Sequence, residues 1–423
     1  MLGLQNIQEN KKSIIIGLKK RGFDSSKIIE EIINLDKKRR DTQTDLDIRL
    51  ATSNKIAKEI GMLYKTGETK KVSSLKEKSI SLKSLTRKLQ EQLIEIEKSL
   101  IDLRIQLPNV PYDIVPNGNS DKDNEEVFNS DLITESKVNY LPHWELGKKY
   151  DIIDFELGNK ISGAGFPVYK DKGARLQRGL INYFLDKNIS AGYKEVQVPI
   201  LINESSGFGT GQIPDKEGQM YHVNKDNLYL IPTAEVPITN IYRNSLLDSK
   251  ELPIALTGYT PCFRREAGSY GSHVRGLNRL HQFDKVEIVR IEEPKNALKA
   301  LEHMVNHIKS ILNELKLPYR ILRLCAGDLG FSSALTYDFE IYSIGQSKWL
   351  EVSSVSTFDS FQAERLKLRY KNSKGKKELL HTLNGSSLAL PRIVAGILEN
   401  FQDSNGINLP EVLIPYTGFK KIQ

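Results

Sequence analysis

A chain of 423 residues has room for two or three domains and a large core. Its net charge of +8 allows a polyanionic partner, but a lysine-rich composition arises without one, so the sign alone identifies nothing. Two distant cysteines, Cys262 and Cys325, with no CxxC spacing or neighbouring histidine, support neither a disulfide framework nor a zinc site. With no run near ~18 apolar residues and no charged, then apolar, opening segment, the expected setting is a reducing cytoplasm, with no membrane.

Residues 27–107 carry 18 Lys+Arg against 13 Asp+Glu, so about five of the eight surplus positive charges lie on one fifth of the length. The same segment is periodic. Ile32, Leu35, Leu46, Ile56, Ile60 and Leu63 follow a 3,4 repeat whose remaining seam positions are Arg39, Thr42, Arg49 and Ser53. Leu82, Leu89, Leu93, Ile96, Leu100, Leu103 and Leu107 form a second series, with Thr86 in register, and Lys65–Thr69 between the two reads as a turn. Two helices folded back on each other predict an antiparallel coiled-coil arm. At ~1.5 Å per residue, some 35 residues reach about 50 Å. Periodicity alone fits a dimerisation coiled coil, its lysines a solvated face, better than it fits a binding arm.

Asn117–Asp131 is polar and almost free of apolar residues, which predicts a mobile or surface connection. The expected division is a helical domain over 1–110, a linker over 111–140 and a second domain over 141–423. That domain opens with Pro142-His143-Trp144-Glu145-Leu146, where His143 and Trp144 suit packing as well as function, and with Ile161–Phe166. An amphipathic helix over Ala174–Leu185 then precedes an alternating strand over Gly192–Leu201 that stops at proline.

Leu228–Glu235 reads as a strand running into a loop with a hydroxyl and a carboxylate, Thr233-Ala234-Glu235. Phe263–Glu266 should end one strand and Leu280–Glu287 begin another, flanking a Gly/Ser/Tyr/Gly loop, so that a long hairpin carries Arg264 at its mouth. Guanidinium groups suit phosphate because they offer planar donors and stay charged, which makes Arg264, Arg275 and Arg279 candidate phosphate clamps. An isolated Arg-x-Glu would more simply be a salt-bridged strand end. Downstream, Glu351 and Ser354 offer hard oxygen ligands suited to Mg²⁺. Asn384-Gly385-Ser386 ends a strand, and Arg392 sits early in the helix through Ala395, Ile397 and Leu398.

FRREAGSYG from Phe263, RGLNRLHQFDKVE from Arg275, Thr233-Ala234-Glu235 and Asn384-Gly385-Ser386 together resemble the seryl-tRNA synthetases of bacterial type, which are class II aminoacyl-tRNA synthetases. The resemblance runs from the first helix to Pro415-Tyr416. It implies an α+β protein: a class II catalytic core of antiparallel sheet flanked by helices, with an N-terminal arm that grips the long variable arm of tRNA(Ser), and tRNA(Sec) a further candidate. Lys37, Lys38, Arg39, Arg40, Lys70 and Lys71 are plausible contacts there. It also implies a homodimer through the 174–201 helix and strand.

By the same resemblance, serine is held by Thr233, Ala234, Glu235, Glu287 and Ser386. ATP is held by Arg264, Arg265, Glu266, Leu280, Phe283, Glu351, Val352, Ser353, Ser354 and Arg392. Within that set Arg264 takes the α-phosphate and the serine carboxylate, Arg392 the γ-phosphate, Glu266 the adenine amino group, and Phe283 stacks on the ring, with Glu351 and Ser354 on Mg²⁺ and no zinc. This chain departs from the family pattern at Gly165, where arginine is more usual, and at Ser387 and Pro391, where glycines are usual; proline is acceptable in a first helical turn. The alternatives are a class II ligase loading an amino acid onto a carrier protein and a catalytically silent RNA-binding relative.

Overall fold

The computed structural model describes residues 1–68, 71–133, 140–266 and 275–423, so Thr69, Lys70 and the loop Ala267–Val274 lie outside the described residues. The chain divides into two compact units, Met1–Pro108 and Asn109–Gln423.

The first unit is helical. Asp24 accepts the amide of Ser26 and opens a 41-residue helix, Ser26–Thr66, which stops at Gly67, where φ is +77°. Glycine fits this left-handed cap because it lacks a Cβ. The return helix is Val72–Arg104. Their seam buries Ile32, Thr42 and Leu46 on one helix and Thr86, Ile96 and Leu100 on the other. Two positions differ from the predicted repeat. Asp36 is buried where Leu35 was expected, and Arg104 where Leu103 was expected. Each has partners that make its burial possible: Asp36 meets Arg39, Arg40 and Gln8 of the short helix Leu4–Glu9, while Arg104 donates twice to the Leu2 carbonyl, at 3.0 and 2.8 Å. A charged side chain is buried where such partners compensate its desolvation.

The second unit is built on an eight-stranded sheet. In chain order its strands are β1 (Glu125–Asn129), β2 (Lys194–Glu195), β3 (Ile254–Phe263), β4 (Gln282–Glu292), β5 (Tyr319–Arg323), β6 (Leu335–Ser343), β7 (Lys348–Asp359) and β8 (His381–Ala389), arranged β1-β5-β6-β7-β8-β4-β3-β2. All neighbours are antiparallel except β2 and β3. β1 arises within the stretch expected as a connection. Its Glu-Glu-Val-Phe-Asn sequence has two apolar residues, enough for an edge strand open to solvent. The strand expected over 192–201 is only two residues long, with a second short strand at Leu201–Ile202.

Helices Asp171–Ser190, Ala297–Leu315 and Leu390–Asn400 cover one face of the sheet and share its main core. Helix Ala297–Leu315 contributes Ala297, Ala300, Leu301, Met304, Ile308, Ile311, Leu312 and Leu315, a stripe at three- and four-residue spacing that matches the helical repeat. On β4, Val286 and Ile288 enter this core, so strand alternation turns Phe283, Lys285 and Glu287 to the opposite face. β8 alternates likewise, with Asn384 and Ser386 on the side away from the helices and Ser387 toward them. Period-two alternation therefore builds one wall of a polar cleft.

Candidate active site

The β3–β4 hairpin supplies the first wall. Its register pairs Phe283 with Cys262 and Gln282 with Phe263, and the Arg264 amide donates to the His281 carbonyl at 2.9 Å, so the hairpin stays closed one step beyond the strands. Arg264 is thereby held over the Phe283 ring, 5.3 Å from its centroid, while its Nε donates to the Pro232 carbonyl at 3.2 Å. Glu266 has φ +48° and accepts from Arg279 Nε at 2.6 Å, which ties the two limbs together across the loop. Arg275 packs on Trp144, 4.7 Å from its ring centroid.

β7, β8 and the helix after β8 supply the facing wall. Pro391 is in the first turn of helix Leu390–Asn400, so the helix survives the departure from glycine. Arg392, next in that turn, donates from Nε to the Asn278 carbonyl at 3.1 Å and from Nη1 to the Glu351 carbonyl at 2.6 Å, with Glu351 Oε2 at 3.5 Å. Ser353 Oγ donates to the Ser386 carbonyl at 2.6 Å and joins β7 to β8. Ten of the expected residues line this one cleft: Arg264, Glu266, Arg279, Leu280, Phe283, Glu351, Val352, Ser353, Ser386 and Arg392.

Thr233 and Glu287 are not in that lining and connect to it through Lys285. Thr233 Oγ1 donates to Glu287 Oε2 at 3.0 Å, Asn384 Nδ2 donates to Oε1 at 3.2 Å, and Lys285 Nζ is 2.6 Å from Oε2. Glu287 is fully buried and Lys285 nearly so, and only Lys285 of the pair reaches the cleft lining. Glu235 opens the helix Glu235–Asn240, with buried Ala234 before it, and accepts from Gln362 Nε2 at 2.7 Å. Burial and the neighbouring Glu287 charge push its carboxyl up to about 7, against the smaller pull of Gln362, Lys285 and Arg264. Glu235 and Glu287 are thus two buried carboxylates beside two cations, Lys285 and Arg264. An ammonium group with a hydroxyl complements that arrangement.

Arg265 and Ser354 are also outside that lining. Arg265 stacks on Tyr221, 4.8 Å from the centroid, and donates to the Met220 carbonyl at 3.0 Å. Ser354 pairs across β6 with Asp338 and hydrogen-bonds its side chain. A bulge at Phe339/Glu340 brings Glu340 opposite Glu351. Burial first, then the charges of Glu351, Asp328 and Glu340, push the Asp338 carboxyl well above its ordinary range, and its Oδ1 has no hydrogen-bond partner among the described residues. An excess of carboxylate beside Ser354 fits a hard dication. No convergent group of three His, Cys, Asp or Glu is found among the described residues. Mg²⁺ does not need one, since it keeps waters and takes phosphate oxygens.

The two other departures have local explanations. A Cβ at Gly165, where φ is +82°, would sit 2.4 Å from His281 Cδ2, so any other residue there would be strained and would have to displace that ring. Ser387 faces the helix layer, where its hydroxyl donates to Asn188 Oδ1 at 2.8 Å. Sequence reasoning missed Lys285, Gln362 and Asn278. Lys285 had a signal, since it shares a strand face with Phe283 and Glu287. Gln362 had none, because it reaches Glu235 from a short helix, Phe361–Leu366, that no motif marks.

Comparisons with known proteins agree over the whole length. Residues 1–111 match the family model "Seryl-tRNA synthetase N-terminal domain", and residues 219–401 match "tRNA synthetase class II core domain (G, H, P, S and T)". The chain is 45% identical to the serine–tRNA ligase of Salinibacter ruber, over all of this chain and 99% of that protein. It is 43% identical to the serine–tRNA ligase of Akkermansia muciniphila, over 99% of this chain and 98% of that protein. Among solved structures, the seryl-tRNA synthetase of Pyrococcus horikoshii complexed with ATP superposes with a TM-score of 0.90 at 32% identity, covering 100% of this chain and 99% of that one.

Proposed function

The chain belongs to the seryl-tRNA synthetase family, and from that membership we propose how its own residues activate serine and load it onto tRNA. It is a class II ligase that consumes ATP. The observation carrying the residue assignments is the joined cleft, which Arg264 and Arg392 line together with Lys285, the partner of Glu287 and through it of Thr233. The carrier-protein ligase and the silent RNA-binding relative are not favoured by such full-length similarity to serine–tRNA ligases.

In the first step a serine carboxylate oxygen attacks the α-phosphorus of ATP, the bond to the bridging oxygen breaks and pyrophosphate leaves. Phosphoryl and nucleotidyl transfers of this kind depend on alignment and charge neutralisation. Arg264 holds the α-phosphate and the serine carboxylate, and Arg392 holds the γ-phosphate. Phe283 stacks on adenine while Glu266 meets its amino group, which requires Glu266 to loosen from Arg279. Glu235 takes the serine ammonium, and Glu287 with Ser386 the hydroxyl. Selection through a hydroxyl is strong because an analogue lacking it leaves buried acceptors unpaired. Glu351 and Ser354 would hold Mg²⁺, a reading supported by the unpaired Asp338 oxygen beside them; the ion neutralises phosphate charge. In the second step a hydroxyl of the 3′-terminal adenosine attacks the adenylate carbonyl and AMP leaves.

Residues 1–110 are the tRNA-gripping domain in this reading, since the exposed face of the 26–66 helix carries Lys37, Lys38 and Arg40, and exposed Lys71 stands just before the 72–104 helix, all suited to phosphate contacts. A homodimer is supported by the edge strand β2 and by exposed Ile189, Ile200 and Leu201 around it. Two free cysteines and no membrane-length apolar helix among the described residues suit the cytoplasm.

Serine-dependent ATP–pyrophosphate exchange tests the reading, with glycine and alanine as controls, followed by charging of tRNA(Ser) and tRNA(Sec) transcripts. No exchange above the alanine control would overturn it. Arg264→Ala should lower exchange by about a hundredfold or more.

A further inference from the structure

His143, the first residue of helix His143–Lys149, is fully buried and far in sequence from every expected site residue, yet its ring lies against the second limb of the hairpin. The Leu277 amide donates to His143 Nε2 at 2.7 Å, which makes Nε2 the acceptor and places the ring proton on Nδ1. Nδ1 is 2.7 Å from Glu399 Oε1 and donates to it. Glu399 is itself fully buried and held by the amides of His143 at 2.9 Å and Gly345 at 3.1 Å, by Gln346 Nε2 at 3.0 Å and by the Ser343 hydroxyl. These donors outweigh the burial that opposes its ionisation and keep its carboxyl below the usual range. A carboxylate fixed this firmly fixes the tautomer of the histidine it faces.

The consequence reaches the ATP cleft by two routes. Leu277 and Asn278 both line the cleft, and the Asn278 carbonyl accepts from Arg392 Nε at 3.1 Å. Asn278 Nδ2 also donates to Gln346 Oε1 at 2.8 Å, and Gln346 is bound to Glu399. Arg392 and Glu399 lie two turns apart on one helix, Leu390–Asn400. The helix that carries the γ-phosphate arginine is thus tied to the hairpin limb at both places, once through Arg392 and once through Glu399 and His143. Gly276 explains why the approach can be so close: a Cβ there would lie 2.2 Å from His143 Nε2, at φ +69°. Its neighbour Arg275 rests on Trp144, so adjacent residues of the helix grip adjacent residues of the limb.

We infer that His143 is a positioning residue for ATP: held by Glu399, it presents a hydrogen-bond acceptor to the Leu277 amide and so sets Leu277, Asn278 and Arg392 in place for the triphosphate. It touches neither substrate. The inference rests on the reading that this cleft binds ATP. Losing the acceptor loosens the limb and weakens ATP binding while the serine cluster, further along that limb and held by its own bonds to Thr233, Asn384 and Lys285, keeps its geometry.

The test is serine-dependent ATP–pyrophosphate exchange with ATP and serine varied separately, on the full chain, beside thermal unfolding of the same samples. His143→Asn offers Glu399 a donor but cannot reach Leu277, and is expected to raise KM for ATP about tenfold with KM for serine unchanged to within about twofold. His143→Gln extends an amide oxygen to the Nε2 position and should restore KM for ATP to within about threefold of the unmodified chain. Gly276→Ala leaves every partner of Glu399 in place and pushes the limb off His143, so it should reproduce the ATP-selective defect even if the Asn variant folds poorly. Equal behaviour of Asn and Gln, a parallel rise in both KM values, or an unaffected Gly276→Ala enzyme would each overturn the inference. Absence of exchange in the unmodified chain would instead sink the functional reading itself.

Discussion

Lys285 and Glu287, two residues apart on one strand face, form a buried ion pair at 2.6 Å whose carboxylate also receives the Thr233 hydroxyl and the Asn384 amide. The cluster gives both Glu287 oxygens a donor before any substrate arrives. An incoming hydroxyl therefore joins an already compensated carboxylate instead of meeting a bare charge, which lowers the cost of keeping a carboxylate dry.

Lys285→Met removes the cation and leaves Glu287 buried with only neutral donors. It should destabilise the chain by about 3 kcal/mol, because breaking one side of a buried pair strands the other charge. Urea unfolding would measure it, and a change below about 1 kcal/mol would show that Thr233 and Asn384 suffice.

Glu235 gives the serine site a pH dependence. Its carboxyl is raised from 4.5 to about 7 by burial and by Glu287, so in the empty protein its contribution to stability is greatest below pH 4.5 and is lost as pH rises through about 7. Serine binding has the opposite sign, since the ammonium needs the ionised form. KM for serine should fall as pH rises through about 7. Glu235→Gln should flatten this profile and raise KM by about thirtyfold. A profile unchanged by the substitution would assign the titration to another group.

Ser387 should matter to packing and not to serine. Its partner Asn188 Oδ1 also receives His307 Nε2 at 2.7 Å, and burial lowers the His307 pKa to about 4, so that ring is a neutral donor at working pH. Ser387→Ala should cost about 1 kcal/mol in thermal or urea unfolding and leave KM for serine within about twofold. A large change in KM would place the hydroxyl in the site.

Deleting residues 30–105 should leave pyrophosphate exchange within about threefold of the full chain while abolishing tRNA charging, since phosphate contacts along the arm supply tRNA affinity and not chemistry. Equal loss of both activities would refute the proposed division of labour.

The sequence by itself determined the elements whose signals are local. Heptad spacing specified the two long helices, and Gly67 marked where the first one stops. Alternation in Gln282–Glu292 placed Phe283 and Glu287 on one face, and the order of the motifs identified the family. Local pattern could not announce Asp36 and Arg104 on the arm seam, because their burial depends on Gln8 and on the Leu2 carbonyl, both distant in the chain. Tertiary structure alone decided that Arg265 turns to Tyr221, that Gln362 reaches Glu235, and that the polar stretch at Glu125–Asn129 becomes a strand. His143 shows the same division most clearly: its residue type is visible in sequence, but its tautomer and its reach to Leu277 depend on Glu399, 256 residues away. Periodicity records which face of an element is dry; which polar groups share that interior depends on how the chain brings separate elements together.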